Sequence, residues 1–168
     1  MKVMLLSEKR LKEDSLVNNN VDSMYIYPAI QTAQELGLQP LLGTKLYKKL
    51  IQIVETAAEG NERYYYLLDE YVIPYLEMKV MSDIQIPLMY KMRNAGMVQN
   101  VVENATIPSM KDAQYLVEYY DNKAKFYADR MSDYIIANRK DYPEYCNCSD
   151  CSEMPSNPMS YNTNIYLG

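Results

Sequence analysis

Three cysteines, Cys146, Cys148 and Cys151, fall close together near the C-terminus, a spacing at which thiolates can wrap a soft metal ion. A structural zinc site takes four ligands, and the chain has neither a histidine nor a second Cys-x-x-Cys pair. Asp150, Glu153 or a thiol from a neighbouring subunit would have to complete the set. The alternative is three reduced thiols in an exposed tail, because a disulfide framework would spread an even number of cysteines through the chain. The absence of histidine also removes the commonest general base and every Ser-His or Cys-His hydrolase arrangement. Gly43-Thr44-Lys45 resembles the end of a phosphate-binding loop, but it lacks the upstream glycine and its lysine follows the threonine, so Thr44 reads as a helix cap. The carboxylate pairs Asp69 with Glu70 and Asp129 with Asp133 stand among lysines and tyrosines, as solvated helix faces do. No catalytic residue, no cofactor site and no enzymatic activity are expected.

These residues sit in a chain of 168 residues, about one domain's worth, with 18 tyrosines, one phenylalanine and no tryptophan. The 17 basic and 22 acidic residues leave a net charge of −5, which argues against a nucleic-acid binder. No apolar run approaches the length of a membrane helix, and the apolar part of the N-terminus is too short for a signal peptide. Tyr64-Tyr65-Tyr66 and Tyr119-Tyr120 cannot all face one core, since adjacent helical residues point about 100° apart. Some of them must lie outside it, and several exposed tyrosines on a small domain point to surfaces buried in an assembly. Met78, Met81, Met89, Met92 and Met97 read as core filling, ahead of a groove for a partner.

The spacing predicts a first helix from Asp22 to Leu36 through Ile26, Ile30 and Ala33, ended by Gly37. After a link from Leu38 to Gly43, Leu46, Leu50, Ile53, Val54 and Ala57 line a second, closed by Gly60-Asn61. Helical period resumes from Glu62 to about Arg93, where Pro74 and Pro87 predict one kinked helix or two helices meeting near Ile73. Asn94 to Pro108 reads as a long loop with room for a short hairpin. Ser109 to Asp112 is a capping box that opens the longest helix. Ala113, Leu116, Val117, Tyr120, Ala124, Tyr127, Met131, Tyr134 and Ile135 form its apolar stripe, until Asn138 to Pro143 stops it. The expectation is an all-α bundle of four to five helices over residues 1–145, with an extended C-terminal arm over 146–168.

In the arm, Met159, Tyr161, Thr163, Ile165 and Leu167 alternate with polar residues or Tyr166, the period of a strand. A lone strand has no stability, so such a segment either joins a partner's sheet edge or stays disordered, and its apolar alternation favours the partner-binding arm. Its 23 residues span at most about 75 Å.

A helix closing in Ala33-Gln34-Glu35, a link closing in Leu41-Leu42-Gly43 and then Leu46-Tyr47-Lys48-Lys49-Leu50 resemble the first half of head-to-tail connector (adaptor) proteins of tailed bacteriophages. Asn94-Ala95-Gly96-Met97-Val98 in a loop, a long helix and Tyr142-Pro143-Glu144 extend that resemblance over residues 20 to 145. The tyrosine-rich composition and the Ile165-Tyr166-Leu167-Gly168 ending look most like ring proteins of crAss-like phages. The resemblance implies a virion protein of the neck or tail region, present in the host cytoplasm during assembly. It implies a homo-oligomeric ring, a dodecamer, below the portal protein, docking a neighbouring tail or ring protein, with no membrane. DNA would pass through the channel without sequence-specific binding, and an acidic lumen would keep phosphate from sticking. The rival expectation is a small cytosolic helical adaptor module with a zinc-binding Cys-rich tail.

Overall fold

The first helix is one that the hydrophobic periods do not announce. Ser7 Oγ accepts from the Arg10 N–H at 3.2 Å and opens α1, Glu8–Asp14. A helix of two turns is marginal alone, so packing must hold this one. Leu11 is fully buried, and Arg10 bonds Asp69 at 2.6 Å and Asp14 at 3.4 Å. The segment before it is tied down by Gln34, whose Oε1 accepts from the Leu5 N–H at 2.7 Å while its Nε2 donates to the Val3 carbonyl at 3.3 Å. The computed structural model describes residues 3–17, 20–57, 59–93, 96–99, 109–145 and 153–156.

Two long helical rods follow, each interrupted the same way. α2, Ser23–Thr32, runs through a π turn, Ala33–Leu38, into α3, Gln39–Thr56. α4, Glu62–Leu67, runs through a second π turn, Leu68–Val72, into α5, Ile73–Met89. At each junction an N–H reaches five residues back, from Gln39 to Gln34 and from Ile73 to Leu68. A proline follows immediately, Pro40 in one rod and Pro74 in the other. Proline lacks a donor and crowds the carbonyl four residues before it. The extra residue of a π turn moves that carbonyl aside and keeps the rod continuous. The expected junction near Ile73 therefore takes the form of a π turn.

The expected boundaries change accordingly. Gly37 does not end a helix: it lies inside the first π turn, where a Cβ would collide with the Tyr75 hydroxyl on α5. The link expected between Leu38 and Gly43 is helical up to Gly43, whose φ of 76° and ψ of 155° break the rod. Thr44 does not serve as the expected cap; its hydroxyl accepts from Gln39 Nε2 at 3.3 Å. α3 stops at Ala57, which takes a left-handed conformation. α5 stops at Met89 and not at Arg93, giving way to β1, Tyr90–Arg93, which pairs antiparallel with β2, Gly96–Gln99. The hairpin thus begins before the segment in which it was expected.

α6, Met110–Ala137, opens with both arms of its capping box formed, the Ser109 hydroxyl accepting from the Asp112 N–H and the Asp112 carboxylate accepting from the Ser109 N–H. It packs along α5, with Ala113, Tyr120, Ala124, Ala128, Met131 and Ile135 buried. Leu116, expected on that stripe, is exposed. Lys79 of α5 bonds Asp121 of α6 at 2.9 Å and Asp83 at 3.2 Å, pinning the two helices. α5 also packs against α2 and both π turns, so the core of this all-α bundle surrounds it.

Candidate assembly surface

Three aromatic residues of α6 point away from the bundle. Tyr115, Tyr119 and Phe126 are separated by four and seven residues, which places them on one side of a helix opposite Tyr120 and Ala124. They are 70%, 45% and 65% exposed. The Lys123 ammonium lies 4.3 Å from the Tyr119 ring centroid, a cation–π contact, and Tyr120 packs edge-on to Tyr119 at 5.2 Å. Glu118, Asp129 and Asp133 flank these aromatics and are exposed. The pair Asp129 and Asp133 is therefore a solvated face, and Asp69 of the other pair is held by Arg10.

The C-terminal half of α6 meets a different environment. Tyr71 stacks on Tyr134 with centroids 4.3 Å apart, and Tyr66 lies 6.1 Å from Tyr71. Tyr142 sits edge-on to Tyr64 at 5.6 Å and donates to the Arg63 carbonyl at 3.0 Å. Tyr64 donates to the Glu144 carboxylate at 2.9 Å, and the Arg130 guanidinium stacks 4.8 Å from the centre of Tyr71. Burial, and then the bond to Glu144, push the Tyr64 phenol up to about 12, so it stays a donor. Burial also pushes Tyr142 up, helped by its contact with Tyr134. Of the adjacent tyrosines, Tyr64 and Tyr120 are buried while Tyr66 and Tyr119 are exposed, as the 100° step requires.

A second feature lies at Gly43. The Thr44 N–H donates to the Met154 carbonyl at 3.0 Å, Lys48 bonds Glu153 at 2.6 Å, and Ser156 is 4% exposed. A Cβ on Gly43 would lie 2.7 Å from the Ser156 nitrogen, so only glycine lets the arm seat there. Beside this seat runs a groove of about 550 Å³, lined in part by Val3, Tyr47, Lys48 and Ile51.

A family model described as a family of unknown function (DUF6712) matches residues 38–154. The chain belongs to the DUF6712 family. The DUF6712 span starts where the first π turn ends and stops at Met154, so it takes in Gly43 and the Thr44–Met154 bond, the tyrosine cluster and all of α6. No curated protein and no solved structure matches the chain.

The candidate metal ligands Cys146, Cys148 and Cys151 lie outside the described residues, as do the arm positions Met159, Tyr161, Thr163, Ile165 and Leu167. Among the described residues no group of three acidic or cysteine side chains is placed to hold a metal ion, and no helix is long and apolar enough to cross a membrane. Sequence reasoning named Tyr119 among the tyrosines of which some must face outward, but it did not select Tyr115 and Phe126. Their signal is the helical wheel of α6 read for its outer side, where aromatic residues stand in place of charges.

Proposed function

We propose that this chain is a structural subunit of a phage particle, a head-to-tail connector that assembles with itself into a ring below the portal protein. The observation that carries this reading is the bare aromatic face of α6. A soluble domain of this size that leaves three aromatic side chains uncovered on one helix is built to bury them against protein. The resemblance to connector proteins supplies the setting, and a rigid bundle with an arm rooted at Gly43 suits a subunit that must hold neighbours in place. In this reading the arm beyond Ser156 adds to a neighbouring subunit or to the portal, and the net charge of −5 per subunit keeps packaged DNA from adhering to the channel. Negative-stain electron microscopy of the purified full-length chain, alone and with its portal protein, tests it. Closed rings support the reading. A chain that remains uniformly single-copy with the portal present overturns it.

A further inference from the structure

The charges on the outer side of α6 are ordered in a way that a merely solvated face does not require. We propose that the unassembled chain pairs with a second copy of itself through this face, the two α6 helices running antiparallel about a twofold axis at Asn122. In such a pair a residue a given number of positions before Asn122 meets, on the same edge of the helix, a residue the same number after it or one position away. Lys111 stands eleven before and Asp133 eleven after, so the two form an ion pair across the axis. Tyr115 stands seven before and Asp129 seven after, which brings a phenol hydroxyl to a carboxylate. Glu118, four before, meets Lys125, three after, on the same edge of the helix. Tyr119, three before, meets Phe126, four after, ring against ring at the centre.

Among the described residues Lys111, Glu118, Lys125, Asp129 and Asp133 have no ion-pair partner within the chain, so each is available to a second copy. A parallel pair in register would set Lys111 against Lys111 and Asp133 against Asp133. The charge pattern therefore selects the antiparallel arrangement. By symmetry every contact occurs twice, as in any isologous interface. The inference rests on the reading of α6 as a self-association surface. Neighbours in a ring are related by rotation about the ring axis and not by a local twofold, so the pair is the form of the chain before assembly. It keeps Tyr115, Tyr119 and Phe126 covered until the ring takes them over.

Sedimentation velocity of the full-length chain under reducing conditions, which prevent cysteine cross-links, reads the association directly. Lys111→Asp places an acidic residue in the first turn of α6 and Asp133→Lys a basic one near its end, both favoured by the helix dipole, so the fold is kept. The expected result is a dimer for the natural chain, a dissociation constant about tenfold weaker for each single reversal, and recovery to within about threefold for the double reversal. A natural chain that is monomeric at every concentration, or a double reversal no better than the single ones, overturns the pairing. Self-association that none of the reversals changes, with rings still forming on the portal, overturns the pairing and leaves the connector reading standing. A dimer with the expected charge response but no ring on the portal overturns the connector reading and leaves the pairing standing.

Discussion

The two halves of α6 carry similar aromatic residues and treat them in opposite ways. Toward the C-terminus Tyr134 is stacked on Tyr71 and linked through Tyr142 to Tyr64, with the Tyr64 and Tyr142 hydroxyls both satisfied. On the outer side Tyr115 and Tyr119, toward the N-terminus, and Phe126, just past the midpoint, stay exposed, touching only near neighbours on the same helix: Lys123 and Tyr120 beside Tyr119, and Tyr127 beside Phe126. The residue types do not decide this. What decides it is that α4, the second π turn and Tyr142 bring rings against Tyr134, while no ring from another described element reaches Tyr115, Tyr119 or Phe126. An aromatic cluster that neighbouring elements enclose contributes to the fold, and one left open is available to another molecule.

The comparison breaks first at its enclosed end. Tyr142 is 1% exposed, and Tyr142→Ala is expected to cost about 3–5 kcal/mol, in the range of other large aromatic truncations. Tyr142→Phe keeps the ring and loses the bond to the Arg63 carbonyl, costing about 1 kcal/mol. Urea midpoints of the two variants check both values, and equal losses would show that the hydroxyl and not the ring holds the cluster. Gly43→Ala comes next. A side chain at φ 76° strains the backbone and strikes the Ser156 nitrogen, so a loss of about 2 kcal/mol is expected together with release of the seated arm. Thermal unfolding reads the first effect, and faster proteolytic cleavage near residues 153–156 reads the second.

The bundle was legible where one short-range rule sufficed. The Ser109 capping box and, Leu116 apart, the Ala113 to Ile135 stripe of α6 follow from spacing alone. The π turns were not, because Pro40 and Pro74 announce only that an ordinary helix cannot continue, and whether the rod breaks or inserts a residue depends on what it packs against. Gly37 shows the same limit. Its signature matches a helix end, yet it is small because Tyr75 from another rod occupies its place. α1 was missed since its burial rests on one leucine and on Arg10, whose partner Asp69 is distant in sequence. For the candidate surface, the excess of tyrosine was visible, but which ones are covered depends on residues after Asn138 that carry no periodic signal.

A smaller effect is expected where α1 meets α5. Glu77 is 8% exposed, faces Arg10 and Asp14, and has one carboxylate oxygen without a hydrogen-bond partner among the described residues. Burial, and then the Asp14 charge, raise its pKa above the ordinary 4.5 despite Arg10. A carboxyl whose pKa is raised in the folded state favours folding while it is protonated, and that contribution is lost as pH rises through the folded value. Glu77→Gln should therefore melt at a higher temperature than the natural chain at pH 7, with the difference shrinking as pH falls toward 4.5. A variant less stable than the natural chain at pH 7 would show that the Arg10 attraction outweighs burial.

The open end of α6 gives the smallest change in stability and the sharpest division between the two regions. Tyr115→Ser and Phe126→Ser remove side chains that contact little of their own chain, so each should shift unfolding by no more than about 0.5 kcal/mol. Tyr134→Ser removes the same group as Tyr115→Ser from the same helix, but it leaves Tyr71 without its stacking partner and should cost several times more. Self-association should respond in the opposite order, with Tyr115→Ser and Phe126→Ser suppressing it and Tyr134→Ser weakening it only as far as it unfolds the chain. Paired measurements of unfolding midpoint and sedimentation on these variants place each aromatic on one side of the division. If Phe126→Ser proved as destabilising as Tyr134→Ser while association was unchanged, the outer face of α6 would belong to the fold of the single chain, and the assembly reading would lose its main support.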